Sequence, residues 1–180
     1  CILTTKKAVG KHILTVEGLT EAEQETFVYA FGAVGAVQCG FCIPGMVLSG
    51  KALLDQNPVP SEDEIKKAIR GNVCRCTGYK KIIEGISLAG AILRGERSVD
   101  PALERGERFG VGERAFRSDV RDKVLGRGEY CDDVALPGMV HASAVRSEYP
   151  RARVLDIDAS AALALPGVLA VLTAEDVPHN

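Results

Sequence analysis

Four cysteines stand in two tight groups, Cys39-Gly40-Phe41-Cys42 and Cys74-Arg75-Cys76, with 31 residues (43–73) between them. This spacing constrains the fold more than any other feature, because thiols so placed must be brought back together across a long helical stretch. Two residues between thiols put both sulfurs on one side of a tight turn, and Gly40 permits the sharp backbone that this requires. The single residue between Cys74 and Cys76 lets both sulfurs point one way only in extended or turning backbone, which Gly71 and Thr77-Gly78 allow. On this reading each pair grips one side of a metal centre. Four cysteines suffice for an iron–sulfur cluster or a structural zinc. Zinc sites favour C-x2-C in both halves with a short ribbon between, so the spacing favours iron–sulfur first, zinc second, and redox disulfides or unrelated buried thiols last.

Six cysteines in 180 residues are too few for a disulfide-built mini-protein, and 46% hydrophobic with 26% charged residues excludes wholesale disorder. A formal net charge of −2 offers no global attraction to nucleic acid or anionic membrane. The best apolar run, Ala161 to Leu172, is broken by Pro166-Gly167 and is too short to span a bilayer. These features give the expectation of a water-soluble, cytoplasmic protein.

Residues 1–17 read as an extended lead-in to Gly18. Thr20 with Glu23 makes a capping box for a helix over 21–34, and Pro44 opens a second helix that runs to the stop signal at Asn57-Pro58. Ser61 with Glu64 caps a third, with acidic residues first and Lys66, Lys67 and Arg70 last, matching the helix dipole. A fourth spans Tyr79 to Leu93, with Ile82, Ile83, Ile86, Ala89 and Leu93 on one face. Four helices imply a small bundle, with both cysteine groups just before helices, where backbone N–H groups stabilise negative charge and Arg75 adds to this.

From Arg94 to Lys123 the apolar content falls and charges alternate, which reads as an exposed connector. Beyond it, 139–146, 153–157 and 168–172 read as strands, Ser160 to Leu163 as a short helix, and Thr173 with Asp176 as a helix cap. The expected class is α+β, a four-helix bundle followed by a linker and the opening of a mixed domain.

The strings Gly35-Ala36-Val37-Gln38-Cys39-Gly40-Phe41-Cys42-Ile43-Pro44-Gly45-Met46 and Gly71-Asn72-Val73-Cys74-Arg75-Cys76-Thr77-Gly78-Tyr79 resemble the helical [2Fe–2S] domain of the molybdenum hydroxylases, the xanthine dehydrogenase and aldehyde oxidoreductase family. The resemblance implies that Cys39, Cys42, Cys74 and Cys76 bind the cluster nearest the molybdenum cofactor, and that Gln38 and Cys76 approach the pterin of molybdopterin. It also implies that Cys1 is the last ligand of a second, plant-type [2Fe–2S] cluster, only partly encoded here. Gly126, Gly128, Tyr130, Asp132-Asp133, Leu136-Pro137-Gly138-Met139, Val145-Arg146-Ser147 and Leu165-Pro166-Gly167-Val168 resemble the start of the family's α/β hammerhead domain. Glu148-Tyr149-Pro150-Arg151 departs from the family pattern. The domains implied are 1–17, the end of a ferredoxin domain; 18–95, the helical cluster domain; 96–112, a linker; and 113–180, the beginning of the hammerhead.

Cys131 lies far from any paired cysteine, and His12, His141 and His179 are too scattered for a metal or nucleophile site. No glycine pattern for flavin or nicotinamide is present. The resemblance thus implies an electron-transferring segment of an oxidoreductase, carrying electrons from molybdopterin to the second cluster and an external acceptor. Its partners would be the rest of the molybdenum subunit and a separate FAD subunit. The alternative is a zinc-stabilised helical module that binds a partner protein without redox role.

Overall fold

The computed structural model of the chain describes residues 4–105, 110–112 and 115–179. It divides into two compact units, the first reaching Ala135 and the second running from Leu136. Cys1 lies outside the described residues.

The first unit opens with α1 (Thr5–Ala8) and a 3-10 turn (Val16–Gly18), where the sequence reading expects extended chain. Four longer helices follow: α2 (Glu21–Val34), α3 (Ile43–Gln56), α4 (Glu62–Ile69) and α5 (Tyr79–Leu93). Thr20 and Ser61 each cap their helix through the expected reciprocal bonds. The Glu23 carboxylate accepts from the Thr20 N–H at 2.9 Å, and the Glu64 carboxylate from the Ser61 N–H at 2.8 Å. Gly35, at φ 70°, ends α2, and the Ala36 N–H reaches back to the Phe31 carbonyl at 2.9 Å.

Helix α2 is buried on every side from Thr26 to Gly32, which identifies it as the central helix. Its Phe27 and Phe31 pack edge-to-face, with ring centroids 6.1 Å apart, in a core completed by Met46, Ile65, Ile82 and Ile86. Burying one such side chain contributes roughly 1.5–3 kcal/mol, so the stability of the chain resides in this unit. Leu93, expected on the buried face of α5, is instead largely exposed.

The region from Arg94 to Lys123, expected to be an exposed connector, is corrected in two places. Asp100 caps α6 (Pro101–Glu104), and its own N–H donates to the Tyr29 hydroxyl at 3.0 Å. Further on, α7 (Val120–Val124) packs on α2 and α3 and buries Val120, Lys123, Val124 and Leu125. Phe116 lies so close over Gly32 that any side chain there would collide with its ring. Single apolar residues amid charges carry no helical period, so the packing of this segment was invisible to pattern reading. A 3-10 turn (Cys131–Asp133) closes the unit.

In the second unit, α8 (Ser160–Leu163) and a 3-10 turn (Ala174–Asp176) stand where expected, the latter capped by Thr173 with Asp176. The strands expected over 139–146, 153–157 and 168–172 are not formed, and no strand occurs among the described residues. Their backbone is free of regular ladder pairing: the hydrogen bonds here close only local turns, such as Met139 N–H to Leu136 carbonyl at 3.0 Å. A strand exists only beside another strand, and Val145 and Leu155 remain exposed. The described structure is therefore helical, without the sheet that an α+β class requires.

Candidate metal centre

Chain order brings the two cysteine groups to one place. The central helix α2 delivers Gln38 and Cys39 just beyond its C-terminus, Cys42 is the N-cap of α3, and Cys74 and Cys76 lie on the loop before α5. All four thiols line one small cavity with Ala36, Gln38, Gly40, Ile43 and Gly78. Sulfur is the only ionisable donor on that list, and soft thiolates suit iron–sulfur clusters or zinc rather than hard cations.

The thiols interact across the two groups as well as within the first. Cys39 interacts with Cys76, and Cys42 with Cys74. Among the described residues no three His, Cys, Asp or Glu side chains surround one point suited to a single metal ion. Four thiols lining one cavity with no harder donor are the donor set of a [2Fe–2S] centre, and the residues present therefore fit the group that the domain type calls for.

The electrostatics differ from one thiol to the next. The Phe41 N–H bonds the Cys39 sulfur and, with Cys76 and the Lys123 charge, holds the Cys39 thiol below its ordinary value. Burial pushes Cys42 up to about 12, reinforced by the neighbouring Cys74 thiol and by the charges of Cys74 and Cys39. Four sulfurs this close repel one another as thiolates unless a cation lies between them.

The second loop is held by a tyrosine. Tyr79, the first residue of α5, accepts from the Cys74 N–H at 2.8 Å and donates to the Asn72 carbonyl at 3.1 Å. The Asn72 amide in turn donates to the Ser49 hydroxyl of α3 at 2.7 Å. Thr77 adopts φ 56°, a left-handed conformation that costs free energy in a β-branched residue and persists because the Cys74 carbonyl accepts its N–H at 3.2 Å.

The first loop is held by the segment after the connector. Arg117 donates to the carbonyls of Val37 and Gln38, and the Tyr130 hydroxyl donates to the Cys39 carbonyl at 3.1 Å. Phe41 meets the Tyr130 ring edge-to-face at 6.2 Å. Gly40 sits at φ 90°, and a side chain there would come within 2.6–2.8 Å of the Lys123 stem. Sequence reasoning missed Arg117 and Lys123, which it left in the connector; Tyr130 was noticed only within a longer string.

Gln38 is exposed and lines the cavity, with its side-chain nitrogen beside Gly78. Arg75, between the two ligand candidates of the second group, is exposed. Cys131 is an exposed free thiol and takes no part.

Comparison with known proteins points to the same kind of domain. A [2Fe–2S] binding domain profile matches residues 15–87, and the a/b hammerhead domain of aldehyde oxidase and xanthine dehydrogenase matches residues 125–180. Aldehyde oxidoreductase of Megalodesulfovibrio gigas is 34% identical over 187 aligned positions, covering 98% of this chain and 20% of that protein. The nicotinate dehydrogenase small FeS subunit of Eubacterium barkeri is 46% identical over 90 positions, covering 49% of this chain and 57% of the subunit. The crystal structure of the aldehyde oxidoreductase from Desulfovibrio desulfuricans superposes with a TM-score of 0.59 at 34% identity, over 71% of this chain and 15% of that one. The chain thus spans about a fifth of the first of these relatives and just over half of the second. Two domain matches in family order, with the paired thiols inside the first, show that this chain belongs to the xanthine dehydrogenase and aldehyde oxidoreductase family, the molybdenum hydroxylases.

Proposed function

We propose that this chain is the electron-transferring segment of a molybdenum-dependent hydroxylase. Cys39 and Cys76 would hold one iron of a [2Fe–2S] cluster, and Cys42 and Cys74 the other. The observation that carries this reading is the convergence of four thiols on one cavity with no other ionisable donor. When bound, the cluster supplies one-electron chemistry, a relay between a molybdopterin centre and a second cluster or external acceptor. The chain's own residues shape that relay. The Phe41 N–H and the N-terminus of α3 at Cys42 stabilise negative charge on sulfur, and Tyr79 fixes the backbone of Cys74.

Gln38, exposed at the cavity, and the half-buried Cys76 are the residues proposed to meet the pterin, and Cys1 is proposed as a ligand of the second cluster. The partners proposed are the remainder of the molybdenum subunit and a separate FAD subunit. No helix among the described residues is long and apolar enough to cross a membrane.

Anaerobic reconstitution of the chain with iron and sulfide tests the reading. The expected product is brown, absorbs in the visible, and contains iron and acid-labile sulfide in equal amounts. Replacing any of the four cysteines by Ser should remove most of both. A colourless chain that retains zinc instead would establish the zinc-stabilised interaction module and exclude the redox role.

A further inference from the structure

Lys123 is the one charged side chain buried among the described residues, at 7% exposure. A buried ammonium is costly unless something compensates it. Its contacts carry no formal charge: Nζ donates to the Glu129 carbonyl at 3.3 Å and lies 3.6 Å from the centroid of the Tyr130 ring. Asp119, at the start of the same helix, feels the ammonium, but its carboxylate is engaged by the Arg117 guanidinium at 2.8 Å. Arg117, the other cation beside the first loop, is thereby offset, whereas Lys123 is not.

The Lys123 stem crosses the Gly40 backbone in van der Waals contact, and the Tyr130 hydroxyl holds the Cys39 carbonyl. Lysine, tyrosine and the C-x2-C turn therefore form one packed unit, with the lysine stem along Gly40, the ammonium between the Glu129 carbonyl and the Tyr130 ring, and its charge felt by the Cys39 thiol.

We propose that Lys123 sets the electron affinity of the thiolate centre as a fixed buried cation, with Tyr130 positioning both the ammonium and the Cys39 turn. The inference rests on the [2Fe–2S] reading above. A centre held by four thiolates gains one further negative charge when it takes up one electron. A cation in the same low-dielectric surroundings favours that reduced form.

The test uses the full chain reconstituted with iron and sulfide, titrated with dithionite in the presence of mediator dyes and followed by visible absorption and electron paramagnetic resonance. Lys123→Met should lower the reduced-to-oxidised ratio at a fixed potential about tenfold, a midpoint shift of about 59 mV for one electron. Lys123→Gln, which keeps a donor for the Glu129 carbonyl, should show the same fall even if the Met variant fails to load iron. Lys123→Arg should stay near wild type. Unchanged midpoints in the Met or Gln variants would overturn the proposal, as would an Arg variant shifted as far as Met. Failure of the unmutated chain to take up iron and sulfide is a different result, and it sinks the cluster reading itself.

Discussion

Tyr79→Phe removes one oxygen and leaves the rest of α5 intact, which makes it the sharpest probe of how the second cysteine loop is held. The lost hydroxyl bridges the Cys74 N–H at 2.8 Å and the Asn72 carbonyl at 3.1 Å. Cys74 is buried, so its N–H is left without a partner, at a cost of about 1–3 kcal/mol. Asn72 is half-buried, and water can replace most of what its carbonyl loses. The net loss is about 2 kcal/mol, roughly a 30-fold change in the ratio of closed to open loop. With a urea m-value near 2 kcal/mol/M, the unfolding midpoint of the metal-free chain should fall by about 1 M. Circular dichroism reads that midpoint, and amide exchange at Cys74 reads the local opening. If both match the wild type, the tyrosine does not hold the loop, and the account of how Cys74 is presented is wrong. Ser49→Ala, which removes only the partly buried bond to Asn72, should cost less, about 0.5–1 kcal/mol.

Other perturbations separate the remaining contributions. Gly40→Ala meets both a φ of 90° and the Lys123 stem at 2.6 Å; it should destabilise the chain by about 2 kcal/mol or more and lower iron uptake measured after reconstitution. Ile86→Ala empties a fully buried site in the α5 face and should cost about 2–5 kcal/mol in urea unfolding. The Glu25–Arg121 ion pair ties α7 to α2, and hydrogen bonding from Arg121 holds the Glu25 carboxyl below its ordinary value near 4.5. A depressed carboxyl contributes stability above its unfolded pKa and loses it as pH falls through the folded value, so the effect should be complete above about pH 4.5 and decline progressively on acidification below it. Both side chains are nearly half exposed, and Glu25→Gln should therefore cost less than about 1 kcal/mol at pH 7, diminishing in high salt.

Much of the first unit was legible in its residues because local chemistry dictates it. Thr20 and Ser61 announce their helices through a side-chain oxygen and a glutamate three positions on, and the observed bonds are those the spacing implies. The apolar face of α5 follows from periodicity, apart from Leu93 in its last turn. The strands expected in the second unit fail for the opposite reason: alternation states only that a segment can be a strand, and the ladder that makes it one comes from another segment.

Sequence by itself determined the thiol inventory, the helices that carry it and the family to which it points, since each depends on residues within a few positions of one another. Which sulfur faces which was decided by tertiary structure alone. Cys39 meets Cys76, and Cys42 meets Cys74, because α2, α3 and α5 bring two loops together from opposite sides. The burial of Lys123 belongs to the same category. Nothing in a charged stretch marks one lysine for the interior, and only the packing of α7 on the central helix removes it from water and lays its stem against the Cys39 turn.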